Sequence, residues 1–263
     1  MQVGISQLIL GKLSCGEFFN RAAAAGYEVV EICMRREGEV SLDMGEAAAR
    51  RITEQAAEAG VEIVSMTHSH CTGNLLDSGD PQKLSVDQTV RALKLAAAMG
   101  IGSSLHTLGG LRAGLYYDKA YENAIASLKE IAPQAEELGV TLAVEFVWNG
   151  FLFSPVEMKR MLDEVGSDRI GFYFDPGNMA VFQFPHHWVH ALGKHVKMVH
   201  MKDWRGRALD GGWTPLLEGE VDFDAIMREL HAMGYDGPLI SEVEPSLASL
   251  EDTAEAIRKI AAM

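Results

Sequence analysis

A chain of 263 residues, 48% hydrophobic and 23% charged, has enough apolar material for one large α/β domain. Its formal net charge of −14 excludes nucleic acid as a general partner, because no Lys/Arg cluster longer than a pair or two offsets the repulsion. Three cysteines (Cys15, Cys33 and Cys71), none in a C-x-x-C pair, argue for a reducing compartment rather than a disulfide framework. The N-terminal MQVGISQLIL lacks the charged start and long apolar core of a secretory signal. No apolar run approaches the roughly 20 residues that a membrane span needs. A cytoplasmic enzyme without membrane contact is expected.

Along the chain, short β-branched or apolar runs alternate with longer amphipathic stretches. The expected strands are Gln2–Ser6, Val29–Cys33, Glu62–His68, Ser103–Thr107, Thr141–Val147, Ile170–Asp175, Val196–Met201 and Leu239–Val243. The expected helices are Glu17–Ala25, Asp43–Ala59, Ser85–Met99, Tyr121–Leu138, Pro155–Val165, Asp222–Met233 and Ser249–Met263, with a short, weakly patterned one around His186–Leu192. Gly26, Gly60, Gly100, Gly139, Gly166 and Gly234 punctuate the helix ends, where glycine takes the left-handed cap position at little cost. Ala25-Gly26-Tyr27 and Ala59-Gly60-Val61, with Leu138-Gly139-Val140 and Met233-Gly234-Tyr235 as variants, read as one βα unit repeated. Eight such units predict a single (β/α)8 TIM barrel over residues 1–263. A doubly wound sheet would carry a Gly-rich phosphate loop after its first strand, and Ser6-Gln7-Leu8-Ile9-Leu10-Gly11 is not one. The longest irregular stretch, Trp204–Val221, is read as a loop that lines or covers a site.

Barrel active sites lie at the C-terminal ends of the strands. The chemistry-bearing residues there are Glu31, His68, His106, Glu145, Asp175, His200 and Glu242. Seven consecutive strands thus deliver a carboxylate or an imidazole to one rim. Glu145, Asp175, His200 and Glu242 stand in the apolar runs AVEFV, FYFDP, MVHMK and LISEV. A carboxylate so placed is costly to desolvate unless paired or bound to a cation, and three close together repel one another. One divalent ion resolves both problems. Three oxygen donors and one imidazole suit Mn²⁺ or Mg²⁺, with Zn²⁺, Co²⁺ or Fe²⁺ as alternatives. The competing reading is a buried ion-pair network, for which too few cations share the rim. Lys202 is the exception, since alternation places it on the face of His200. Glu31 is explained as well by hydrogen bonding at the rim as by catalysis. His68 and His106 are assigned to the pocket and His70 to the loop. H-E-x-x-H, G-x-S-x-G and G-x-x-x-x-G-K-[ST] are all absent.

The series VEF at Glu145, FDPGN at Phe174–Asn178, VHMKD at Val199–Asp203, LEGEVDF at Leu217–Phe223 and GPLISEVE around Glu242 resembles the xylose isomerase-like barrel superfamily. That group includes ketose 3-epimerases, hydroxypyruvate isomerases, inosose dehydratases and the endonuclease IV type of repair enzyme. The resemblance spans the chain. It implies a metal site at Glu145, Asp175, His200 and Glu242. It also implies that Glu145 and Glu242 act as acid and base on a keto sugar or hydroxy-keto acid, by proton transfer through a metal-bound cis-enediolate. The sequence departs from some relatives. The strand-six D-x-x-H of 3-epimerases and repair enzymes is Asp175-Pro176-Gly177-Asn178 here, the Asp-x-His of the repair enzymes is missing after strand seven, and Leu217 replaces the first glycine of G-E-G.

Further substrate contacts are expected from His68, His106, Asn178, Lys202, Arg205 and Trp148, with Arg207, Asn149 and Trp204 nearby in sequence. The leading expectation is an isomerase or epimerase. The alternative is a lyase or dehydratase expelling a β-leaving group from a keto-inositol or keto-glycoside. A sugar-binding subunit and a DNA-cleaving enzyme are the weaker readings. Relatives are often dimers or tetramers, so a homo-oligomer is compatible with the resemblance.

Overall fold

The computed structural model describes residues 1–263. Eight parallel strands close into a barrel: β1 (Val3–Ser6), β2 (Val29–Cys33), β3 (Glu62–Thr67), β4 (Ser103–His106), β5 (Thr141–Glu145), β6 (Ile170–Phe174), β7 (Val196–Met201) and β10 (Leu239–Ser241). The main helices between them are α1 (Cys15–Ala24), α2 (Glu46–Ala59), α3 (Asp80–Ala98), α4 (Tyr117–Leu138), α5 (Pro155–Val165), α7 (Pro185–Leu192), α8 (Phe223–Ala232) and α9 (Leu250–Ala261). The expected single (β/α)8 barrel is therefore present. The hydrogen-bonded order β1-β10-β7-β6-β5-β4-β3-β2 joins the last barrel strand to the first. Closure leaves no unpaired sheet edge. No helix is long and apolar enough to cross a membrane.

Local chemistry sets the element ends. Ser14 and Glu17 form a reciprocal capping box at the start of α1, satisfying donors that the first turn leaves free. Gly60, Gly139 and Gly166 stop α2, α4 and α5 in the left-handed conformation that a side chain resists. The main apolar core lies between strands and helices, through Ile32, Met66, Val144, Phe172 and Val199. Inside the barrel a smaller apolar layer is formed by Leu105, Ala143, Tyr173, Met198 and Ile240. Two residues further along β5, β7 and β10, alternation brings Glu145, His200 and Glu242 to the same inner side. The apolar layer is thus the floor beneath the rim.

Two elements depart from expectation. Trp204–Val221 is not a plain loop: β8 (Asp203–Arg207) and β9 (Asp210–Thr214) pair antiparallel across it. Asp175 also caps a short helix, α6 (Pro176–Ala180), and its side chain accepts from the Asn178 amide. Proline at the first helical position fits this start, because its missing N–H is not needed there.

Candidate active site

Four inward side chains from adjacent or nearly adjacent strands converge above the floor. Glu145 ends β5, Asp175 follows β6, His200 lies in β7 and Glu242 follows β10. One potential ligand atom from each lies within 4.8 Å of the others, and all four residues are buried. His200 Nδ1 is 3.2 Å from Glu145 Oε1, and Nε2 is 3.6 Å from Glu242 Oε1. Asn178 steadies two of the four. Its side-chain amide donates to Glu145 Oε1 at 3.3 Å and to the Phe146 carbonyl at 3.1 Å, while its backbone N–H donates to Asp175 Oδ1. Lys202 Nζ stands 2.7 Å from Asp175 Oδ2 and 2.5 Å from Glu242 Oε2.

The electrostatics follow from burial. Burial raises Glu145 to about 7, with the Glu242 charge adding to it and His200 and Lys202 opposing. Burial would lower His200 and Lys202, yet the surrounding carboxylates outweigh it and hold both well above their ordinary values. Asp175 Oδ2 is buried without a hydrogen-bond donor, the Lys202 ammonium lying close by but out of hydrogen-bonding geometry. The Lys202 charge offsets part of the cost of burying that oxygen. Three carboxylates and an imidazole converging in one buried cluster fit a hard divalent ion.

Beneath the four lies Glu31, fully buried on β2. Its carboxylate accepts from the hydroxyls of Ser6 (2.8 Å), Ser65 (2.7 Å) and Tyr173 (2.8 Å), and stands 3.1 Å from His200 Nε2. Burial alone would raise its pKa. The His200 charge and the donated hydrogen bonds outweigh that and hold it below the usual carboxylate range. The tyrosine was not singled out in the sequence, although it stands two residues before Asp175 on the same strand face.

A chamber of about 210 Å³ opens onto Lys202 and Glu242 and is walled by Leu8, Ile9, Trp213 and Leu247. Trp148, half exposed, stands beside the Trp213 wall. Its ring stacks on Trp213, with centroids 5.4 Å apart and planes 4° apart, and its Nε1 donates to the Asn178 carbonyl. The sequence-expected residues His68 and His106 do not join the cluster. His106 is in register with Val144, one residue out of phase with Glu145, and its ring packs on His68 with centroids 5.3 Å apart. Burial lowers both pKa values, so both rings are neutral. Arg205 is exposed on the hairpin, where it donates to the Glu218 carbonyl and lines a separate depression rather than the chamber.

Asp203 closes the base of the hairpin segment. Its carboxylate accepts from the backbone N–H groups of Trp204, Gly219 and Val221. A Cβ at Gly219 would collide with that carboxylate and with Thr214 Oγ1. Gly219→Ala is therefore expected to cost about 1–3 kcal/mol and to lower the melting temperature by roughly 2–12 °C, read by calorimetry. An unchanged melting temperature would show that Asp203 is not the clasp.

A family model described as xylose isomerase-like TIM barrel matches residues 19–260. The chain belongs to that family. SgbU of Escherichia coli (strain K12), provisionally named an L-ribulose-5-phosphate 3-epimerase, is 27% identical over 92% of this chain and 88% of its own length. Inosose dehydratase of Geobacillus thermodenitrificans (strain NG80-2) is 23% identical over 51% of each chain. The chain thus spans about half the length of several curated relatives it matches. The structure superposes on a D-psicose 3-epimerase with a TM-score of 0.81 at 16% identity, covering 100% of this chain and 97% of the other. It superposes on the 3-keto-D-glucoside 4-epimerase YcjR from E. coli at 0.79 and 14% identity, covering 100% of both. At these identities the structural likeness establishes the fold.

Proposed function

We propose that the protein is a divalent-metal-dependent isomerase or epimerase of a keto sugar or hydroxy-keto acid, with Glu145 and Glu242 as its acid/base pair. The convergence of Glu145, Asp175, His200 and Glu242 at one buried point carries this reading. The four would hold one Mn²⁺ or Mg²⁺ ion. Bound there, such an ion would supply Lewis acidity toward the substrate. β5 and β10 stand three steps apart in the ring of eight, so Glu145 and Glu242 approach a substrate carbon from different sides. One carboxylate takes the proton beside the carbonyl and the other delivers a proton to the opposite face. Lys202 and Trp148 would orient the substrate, with Leu8, Ile9, Trp213 and Leu247 as the apolar part of the chamber wall.

The decisive experiment is solvent-deuterium incorporation, followed by NMR, into a panel of ketoses, keto-inositols and hydroxypyruvate with Mn²⁺ or chelator. Metal-dependent exchange with mass otherwise conserved is the expected result. Release of water or an aglycone would select the second reading, β-elimination from a keto-inositol or keto-glycoside, which the partial matches to inosose dehydratases support. No bound metal would overturn both.

A pH dependence follows. In the metal-free protein burial raises Glu145 to about 7 and the surrounding carboxylates hold His200 well above its ordinary value, so near neutrality His200 is protonated and Glu145 partly so. A ligand must shed its proton to bind the ion. Apparent Mn²⁺ affinity is expected to rise with pH from 6 through 8, with proton release on binding. Calorimetric titration in buffers of different ionisation enthalpy reads both, and a flat profile would contradict the ligand assignment.

A further inference from the structure

The two nitrogens of His200 face different partners. Nδ1 points to Glu145 at 3.2 Å, and Nε2 is nearest to Glu31 at 3.1 Å, with Glu242 Oε1 farther off at 3.6 Å. We propose that Glu31 is a positioning residue for the metal centre: its carboxylate fixes the proton of His200 on Nε2, leaving the Nδ1 lone pair as the ligand. This inference rests on the proposed metal site and adds a residue that the four-ligand reading does not contain.

The argument is one of donors and acceptors. Three hydroxyls surround Glu31, from Ser6, Ser65 and Tyr173, each donating to it. A carboxylate that already receives three hydrogen bonds at both oxygens acts as an acceptor toward the fourth neighbour. That neighbour is Nε2, which must therefore carry hydrogen. The ring cannot exchange its nitrogens easily, because the Tyr173 ring packs against it with centroids 4.2 Å apart. Tyr173 thus holds both the anion and the imidazole plane. His200 and Glu31 are both fully buried, so no solvent substitutes for either contact. A histidine ligand whose second ring N–H is anchored on a carboxylate keeps its tautomer and gains basicity.

The test is calorimetric Mn²⁺ titration of wild type, Glu31→Leu and Glu31→Gln, with ¹⁵N-histidine NMR of the Mg²⁺-loaded proteins. Glu31→Leu is expected to weaken Mn²⁺ binding about 10–100-fold. Glu31→Gln retains an oxygen for Nε2–H while Ser65 and Tyr173 hydroxyls rotate to meet its amide, so it is expected to recover most of the affinity. In wild type the His200 Nε2–H resonance should be slow to exchange and shifted downfield. It should move upfield in Glu31→Gln, whose amide oxygen is the weaker acceptor. Should Glu31→Leu fail to fold, that resonance shift in Glu31→Gln carries the test. Wild-type affinity in Glu31→Leu, or an unmoved resonance in Glu31→Gln, overturns the inference. Absence of Mn²⁺ binding by wild type would instead overturn the proposed metal site itself.

Discussion

Glu242→Gln is expected to lower the rate of deuterium exchange beside the substrate carbonyl by about 10²–10⁴-fold, measured at saturating Mn²⁺. Glutamine keeps a ligand oxygen in place of Glu242 but has no carboxylate to carry a proton. Saturating metal separates lost proton transfer from weakened binding. The side chain is only 6% exposed, so bulk solvent is a poor substitute base. Glu145→Gln should behave in the same way from the other side. If both variants exchange within tenfold of wild type, neither glutamate moves the proton, and another mechanism must operate.

Removal of the ion should have the second large effect. A ligand bound only by the folded state at 1,000 times its dissociation constant stabilises by about 4.1 kcal/mol. For a chain of this size each kcal/mol moves the melting temperature by about 2–4 °C, so excess chelator is expected to lower it by about 8–16 °C. Exchange activity should disappear with it and return with added Mn²⁺. The metal-free state remains folded on this reading, because Lys202 already lies against Asp175 and Glu242 and neutralises part of their repulsion. Scanning calorimetry with and without chelator checks this, and coincident melting curves would count against a resident ion.

The barrel was legible because the alternation of strand and helix patterns recurs eight times and glycine marks the helix ends. The strand ends were less so. Asp175 and Glu242 lie one residue beyond β6 and β10, yet their inward direction follows from alternation with Tyr173 and Ile240. Alternation also bears on His106, which shares register with Val144 rather than an inward residue, a pairing the sequence alone does not reveal. The hairpin was hidden by its composition. Gly206, Gly211 and Gly212 have little strand propensity, and Leu209 rather than glycine takes the left-handed turn position, with φ of 68°. The environment of Glu31 was out of reach for another reason. Its hydroxyl donors come from β1, β3 and β6, as far as 142 residues away in sequence. Only barrel closure assembles them.

The hairpin has an evolutionary corollary. It satisfies its own backbone through the β8–β9 ladder, and Asp203 ties off the base of the excursion between β7 and α8. It also supplies Trp213 to the chamber wall, while contributing none of the four convergent residues below. On the proposed function, substitutions along β9 would alter the shape of the chamber without touching Glu145, Asp175, His200 or Glu242. On that reading, a separable module of this kind would let one chemistry be retuned to new substrates by drift in a single short segment.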